Sequence, residues 1–115
     1  MAVIDDDPAV LDSLQLMLEV AGYRVAVYGS AGAFLANRVS EPACLILDHH
    51  MSPMTGLDLV ARMRAEGMRV PVLLITGRSS ARLFARAAQL DIEKVLEKPP
   101  SEGDILGFVA RFGCP

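Results

Sequence analysis

Asp5, Asp6, Asp48, Thr76 and Lys98 are the residues of this 115-residue sequence whose types and placing could do chemistry together. Each follows closely on a short apolar run. Asp5, Asp6 and Asp7 come after Ala2-Val3-Ile4, Asp48 after Cys44-Leu45-Ile46-Leu47, Thr76-Gly77 after Leu73-Leu74-Ile75, and Lys98-Pro99 one residue beyond Val95-Leu96. Three carboxylates held within a few ångströms repel one another, so at neutral pH they require a compensating cation. Hard oxygen donors of this kind suit Mg²⁺, which prefers one or two carboxylates plus a phosphate and keeps several waters. A carboxylate beside such an ion can attack a phosphoryl group and form an aspartyl phosphate. A lysine and a threonine hydroxyl would then neutralise and hydrogen-bond the phosphoryl oxygens. Taken singly, each residue has a plainer explanation: Asp7 before Pro8 is a helix N-cap, Asp48 a turn cap, Thr76 a loop hydroxyl and Lys98 a surface cation. Core packing does not place such groups at successive strand ends, so together they outweigh those explanations.

The elements that would position them alternate in type. Residues 2–4, 24–28, 43–47, 70–75 and 95–96 read as strands; residues 43–47 and 70–75 are continuous apolar runs, as expected of strands buried on both faces. Between them lie helical patterns. Asp7-Pro8 opens the first as N-cap and first-turn proline, Val10, Leu11, Leu14, Met17, Leu18 and Ala21 recur at helical spacing, and Gly22 closes it. Ser30 caps a short second helix with Phe34 and Leu35, and a third begins near Gly56, turns Leu57, Val60 and Met63 inward and stops at Gly67. Ser79 or Ser80 starts a fourth bearing Leu83, Phe84, Ala87 and Ala88, and Ser101 with Asp104 resembles a capping box for the fifth. Five strands alternating with five helices predict an α/β domain: a doubly wound parallel sheet with right-handed crossovers, covered on both faces. Ligands of such sheets bind beyond the carboxyl ends of the strands, where the residues above would gather.

Composition bounds the function. With 52% hydrophobic and 22% charged residues the chain can build a core, which excludes intrinsic disorder. No apolar run approaches the roughly 20 residues that span a bilayer, and the opening Met1-Ala2-Val3-Ile4-Asp5 lacks the basic start of a secretory leader. A net charge of −3 speaks against direct nucleic-acid binding. The charge is uneven, with seven acids against two bases in residues 1–57 and seven against nine in residues 58–115. Cys44 reads as a small core residue and Cys114 as part of the tail; two distant cysteines make neither a disulfide framework nor a zinc site, which fits a reducing, cytoplasmic setting.

Along its whole length the sequence resembles the receiver domain of two-component response regulators, most of all the FixJ-type branch. The resemblance rests on Val3-Ile4-Asp5-Asp6-Asp7, Leu47-Asp48-His49-His50-Met51, Thr55-Gly56, Ile75-Thr76-Gly77 and Glu97-Lys98-Pro99, in matching order and spacing. It implies one receiver domain over residues 1–115 with the CheY-like strand order 2-1-3-4-5. It implies a phosphorylation-activated switch rather than an enzyme acting on a separate substrate. Asp48 would accept a phosphoryl group from a sensor histidine kinase, and Asp6, Asp48 and the His50 carbonyl would contact Mg²⁺, with Asp5 acting largely through water. Lys98 would pair with the phosphoryl oxygens, the Lys98-Pro99 bond would be cis, and Thr76 would swing toward the phosphate and signal through the fourth helix, fifth strand and fifth helix. Transfer and autodephosphorylation would be the domain's own chemistry. A DNA-binding output domain beyond this chain and a homodimer formed on phosphorylation are further family expectations.

Three positions depart from the family pattern. Proline comes one place late in Met51-Ser52-Pro53, the aromatic usually found three residues before the lysine is Val95, and Asp91 replaces a glycine before the last strand, where it can still take a left-handed backbone. These departures raise a second reading, a degenerate receiver that serves as an unphosphorylated docking module. Aspartyl-nucleophile phosphatases normally carry a second acid two residues after the nucleophile, where this chain has His50; a flavodoxin-like FMN site would find its phosphate repelled by Asp5-Asp6-Asp7. His49 and His50, leaving a strand as neighbours, should point apart rather than form a metal pair, and His50 with Arg78 is placed to flank the phosphoryl group and tune its lifetime. Arg78, Arg82 and Arg86 recur every fourth residue as a stripe expected on the fourth helix, a solvated face or a partner surface. Met51, Met54, Met63 and Met68 read as fillers of core and loop gaps.

Overall fold

The computed structural model describes residues 1–37 and 41–113; Cys114 lies outside the described residues. Five strands, β1 (Ala2–Ile4), β2 (Ala26–Tyr28), β3 (Leu45–Asp48), β4 (Val72–Thr76) and β5 (Lys94–Glu97), alternate with five helices, α1 (Pro8–Val20), α2 (Ala31–Asn37), α3 (Gly56–Ala65), α4 (Ala81–Gln89) and α5 (Glu102–Phe112). All strand pairs are parallel, and the order is β2-β1-β3-β4-β5. The expected doubly wound sheet and its strand order are both present.

Alternation along the strands divides the core between the two sheet faces. Ile4, Leu45, Leu47, Val72 and Leu74 join Phe34, Leu57, Leu59, Val60, Met63, Leu83 and Ala87 on the face covered by α2, α3 and α4. Val3, Ile46, Leu73 and Ile75 pack with Leu11, Leu14, Leu18, Ile105, Phe108 and Val109 on the face covered by α1 and α5. Cys44 is buried within that second layer. Met51 and Met63 are buried, and Met54 and Met68 pack against the first layer.

The caps are those the local sequence dictates, with one addition. Asp7, Ser80 and Ser101 accept from backbone N–H groups of the first turns of α1, α4 and α5. At Ser101 the bond from the Asp104 N–H forms the serine half of the expected capping box. The complete box is at α3: Thr55 Oγ1 accepts from the Asp58 N–H, and the Asp58 carboxylate accepts from the Thr55 N–H.

Boundaries differ where pairing limits them. β2 is shorter than residues 24–28 because its ladder partner β1 offers three residues. β4 begins at Val72 rather than 70, since Pro71 has no N–H to give and the Val70 carbonyl is taken by the Arg64 guanidinium. Phe84 is 49% exposed; Leu83 and Ala87 make the buried face of α4. Asp91 has φ 55°, the left-handed conformation expected of it. Among the described residues no helix is long and apolar enough to cross a membrane.

Candidate functional site

The parallel register brings the chemical residues to one sheet edge. Asp48 ends β3 opposite Ile75 of β4, and Thr76 ends β4 opposite Glu97 of β5. The ladder continues one step further on each side, through the His49 N–H to the Ile75 carbonyl (2.8 Å) and the Lys98 N–H to the Thr76 carbonyl (2.8 Å). Asp5 leaves β1 with its N–H bonded to the Tyr28 carbonyl at 3.2 Å. Lys98 and Asp48 thus stand two strands apart, about 9–10 Å of backbone separation. The long lysine stem and the Asp48 side chain together bridge that distance, placing Nζ 3.0 Å from Asp48 Oδ1. The Lys98-Pro99 peptide is cis, as expected, and so is Ser52-Pro53.

Carboxylate oxygens of Asp5, Asp6 and Asp48 lie within 4.8 Å of one another. Asp5 and Asp48 are buried while Asp6 is exposed. Burial is the largest influence on Asp5 and raises its pKa; the Asp7 N–H on its Oδ1 (2.9 Å) opposes that, and the nearby Asp48 charge adds to it. Lys98 is held above the ordinary lysine value: partial burial works against the charge, but the hydrogen bond and charge of Asp48, with Asp5 and Asp6, prevail. One ammonium faces three carboxylates. The cluster therefore carries surplus negative charge on hard oxygen donors, the chemistry that a divalent cation of the Mg²⁺ type satisfies.

Gly56 explains how closely α3 approaches this edge. A Cβ there would fall 2.7 Å from the Asp48 carbonyl oxygen and 2.9 Å from both His49 Cα and Leu74 Cδ1, and the Gly56 N–H bonds the His49 carbonyl at 3.0 Å. The segment leaving β3 turns sharply, with the Met51 N–H bonded to the His49 carbonyl (3.0 Å). That turn ends the strand alternation, so His49 and His50 do not point apart: their rings meet edge-on with centroids 5.2 Å apart. They nevertheless serve different partners. His49 Nδ1 accepts a long 3.5 Å bond from the Leu57 N–H at the start of α3, and burial, then the neighbouring His50, lowers its pKa. His50 donates its backbone N–H to Asp48 Oδ1 (3.3 Å) and sets Nε2 3.0 Å from Thr76 Oγ1.

Thr76 is fully buried, and its hydroxyl is turned into the β4–α4 connection. It donates to the Arg78 carbonyl (3.0 Å) and receives the Arg78 N–H (3.3 Å). Next to it the Ser79 hydroxyl and N–H both donate to Glu97 Oε1, which lowers the Glu97 pKa. Val95 is half-buried on β5 against the α2–α4 layer.

The structure thus brings Asp5, Asp6, Asp48, Lys98, His50 and Thr76 to one edge, with Thr76 engaged by His50 and Arg78 rather than by Lys98 or Asp48. The arginine stripe is not a single helical face. Arg78 precedes α4 in the loop, and Arg86 pairs with Asp58 of α3 at 2.9 Å. Two features carried no sequence signal. One is the His50–Thr76 contact, between residues 26 apart. The other is Arg64, whose guanidinium donates to the carbonyls of Leu90 (2.8 Å), Val70 (2.9 Å), Met68 (3.0 Å) and Asp91 (3.3 Å) and so fastens the far end of α4 to α3. The Thr55–Asp58 box did have a signal, a threonine followed three residues on by an acid.

Comparison with known proteins gives this geometry a family. The model of the response regulator receiver domain matches residues 1–110. The response regulator protein TmoT of Ectopseudomonas mendocina is 36% identical over 109 residues, covering 93% of this chain and 49% of that protein. The transcriptional regulatory protein FixJ of Azorhizobium caulinodans is 36% identical over 108 residues, covering 93% and 51%. Full-length FixJ from B. japonicum superposes with a TM-score of 0.84 at 33% identity, covering 96% of this chain and 55% of that one. The chain spans about half the length of the curated relatives it matches. With the sheet order, the acidic edge and the lysine in place, the chain belongs to the family of response regulator receiver domains, signalling domains of two-component systems.

Proposed function

We propose that this receiver is a phosphorylation-controlled switch in which Asp48 accepts the phosphoryl group of a phosphohistidine on a sensor kinase. The observation that carries the reading is the Lys98 Nζ–Asp48 Oδ1 contact at 3.0 Å beside the Asp5–Asp6–Asp48 oxygens. It sets a buried carboxylate nucleophile next to a cation able to take the charge of an arriving phosphoryl group. Asp48 forms a new O–P bond as the P–N bond of the donor imidazole breaks, and the electron pair returns to that imidazole nitrogen. Lys98 is within reach of both the carboxylate and the incoming oxygens. Its raised pKa keeps it charged throughout the neutral range. Asp5, Asp6, Asp48 and the carbonyl of His50 would hold Mg²⁺, which when bound supplies charge neutralisation for the phosphoryl oxygens.

Thr76 then carries the change outward. Its hydroxyl exchanges the Arg78 carbonyl for a phosphoryl oxygen, and the β4–α4 connection follows, remodelling the face formed by α4, β5 and α5. That face reports to an output domain or to a second copy of the receiver. The curated relatives are about twice as long and FixJ is a transcriptional regulator, which supports a DNA-binding output.

Intact mass after incubation with acetyl phosphate tests the reading. A gain of one phosphoryl group that requires Mg²⁺ and is absent from Asp48→Asn is the expected result. No gain under any condition would favour the docking-module reading.

A further inference from the structure

We propose that the His50 imidazole is a positioning residue that holds Thr76 in its resting orientation and thereby sets how much of the phosphoryl-binding energy is spent on switching. The inference rests on Asp48 being the phosphoacceptor and adds a restraint specific to this chain.

The Thr76 hydroxyl has one proton and two lone pairs to place. The proton goes to the Arg78 carbonyl at 3.0 Å, and one lone pair receives the Arg78 N–H at 3.3 Å. His50 Nε2 stands 3.0 Å from the same oxygen, and as the tautomer with hydrogen on Nε2 it donates to the second lone pair. All three capacities of the hydroxyl are then used. Thr76 cannot serve an oxygen on Asp48 without giving up the Arg78 carbonyl and disturbing the imidazole contact.

The two kinds of restraint differ in generality. The Arg78 groups belong to the backbone and would be offered by any residue there, whereas the third bond depends on the side chain at position 50. His50 is well placed to exert it. Its own N–H is fixed on Asp48 Oδ1 at 3.3 Å, and its ring lies beside the loop after β4, where a Cβ on Gly77 would sit 3.5 Å from Nε2. One residue thus grips the acceptor carboxylate with its main chain and the switch hydroxyl with its side chain.

A restraint on the resting state lowers the apparent affinity of anything that binds the switched state. Beryllofluoride with Mg²⁺, a non-covalent mimic of the phosphoryl group, reads this out as an apparent dissociation constant. His50→Phe keeps a ring and removes the donor; it should tighten beryllofluoride binding about threefold to tenfold, the equilibrium weight of one net hydrogen bond. His50→Gln places an amide N–H near the Nε2 position and should restore the wild-type value. In a Thr76→Ala background the same His50→Phe change should have no effect. His50 is exposed, so these variants should fold, which circular dichroism verifies.

Unchanged or weakened binding in His50→Phe would overturn the proposal. So would an equal gain in the Thr76→Ala background, which would mean that the ring acts on the pocket directly. Beryllofluoride binding that is the same in wild type and Asp48→Asn would instead overturn the phosphoacceptor reading and, with it, the proposal.

Discussion

The two halves of the sheet edge hold their polar groups by different means. On the β1–β3 half, Asp5 follows and Asp48 ends a strand that is buried throughout, and Gly56 lets the α3 backbone close against the Asp48 carbonyl at a distance no side chain would permit. On the β4–β5 half, the groups are tied by side-chain bonds: the buried Thr76 to the exposed His50 and to Arg78, and Ser79 to Glu97 of an edge strand whose end residues Lys94 and Glu97 are exposed. Within α4 the same division recurs. Its C-terminal end is fastened by two bonds from Arg64, to the Leu90 and Asp91 carbonyls, while its N-terminal connection depends on the hydroxyls of Thr76, Ser79 and Ser80. On the proposed function, the acceptor carboxylate sits where displacement is costly, and the switch hydroxyl sits where a few exchangeable bonds decide the conformation.

Predictions that would break this division begin with Gly56→Ala. The new methyl must push apart the β3 and α3 backbones, so urea unfolding should show a loss of about 2–3 kcal/mol, toward the upper part of the overpacking range. A neutral result would mean that the β1–β3 half is looser than described. Arg64→Ala comes next, with a loss of about 2 kcal/mol from a guanidinium that satisfies four carbonyls. Hydrogen exchange should then rise at the C-terminal turn of α4 and the 89–92 turn while the β1–β3 half stays protected.

Mg²⁺ sharpens the comparison from the other side. Saturating Mg²⁺ should raise the thermal midpoint of the wild type by an amount corresponding to about 1–2 kcal/mol. Without Mg²⁺, Asp6→Asn should be more stable than wild type, because one of three crowded carboxylates is gone; the added ion should then help it less. Equal responses of the two proteins would remove Asp6 from the cation site.

The smallest effect belongs to the Arg86–Asp58 pair on the surface between α4 and α3, for which Arg86→Ala should cost below about 1 kcal/mol. The bond from Arg86, helped by Thr55, holds the Asp58 carboxyl below the ordinary value of 3.8. A depressed pKa stabilises the fold above the unfolded value and loses that contribution as pH falls through the folded one. The difference between wild type and Arg86→Ala should therefore be constant near neutrality and shrink as pH drops below about 4. A difference that grows in acid would contradict the pairing.

Much of this arrangement was legible in the sequence because strand ends are local events. Ala2-Val3-Ile4 and Cys44-Leu45-Ile46-Leu47 announce buried strands, and the acids after them stand out against apolar surroundings. The left-handed Asp91 was legible through the family resemblance, which usually has a glycine there, a conformation that aspartate tolerates. What escaped was long-range or depended on departures from regular geometry. The ring contact of His49 and His50 follows from a turn that ends the strand alternation, and the bonds of Arg64 to Leu90 and Asp91 join residues with no shared periodicity. Arg78 fell off the arginine stripe because the helix waits for the Ser80 cap. Pairing, rather than propensity, trimmed β2 to the length of β1.

The central claim, that Asp48 is the group modified, is tested most directly by borohydride trapping. Protein treated with acetyl phosphate and Mg²⁺ is reduced with borohydride, which converts an aspartyl phosphate to homoserine, and the peptides are mapped by mass spectrometry. Homoserine at position 48, and none at positions 5 or 6, is the predicted result. Homoserine at Asp5 or Asp6, or an unreduced Asp48 in protein that has gained a phosphoryl group, would contradict it.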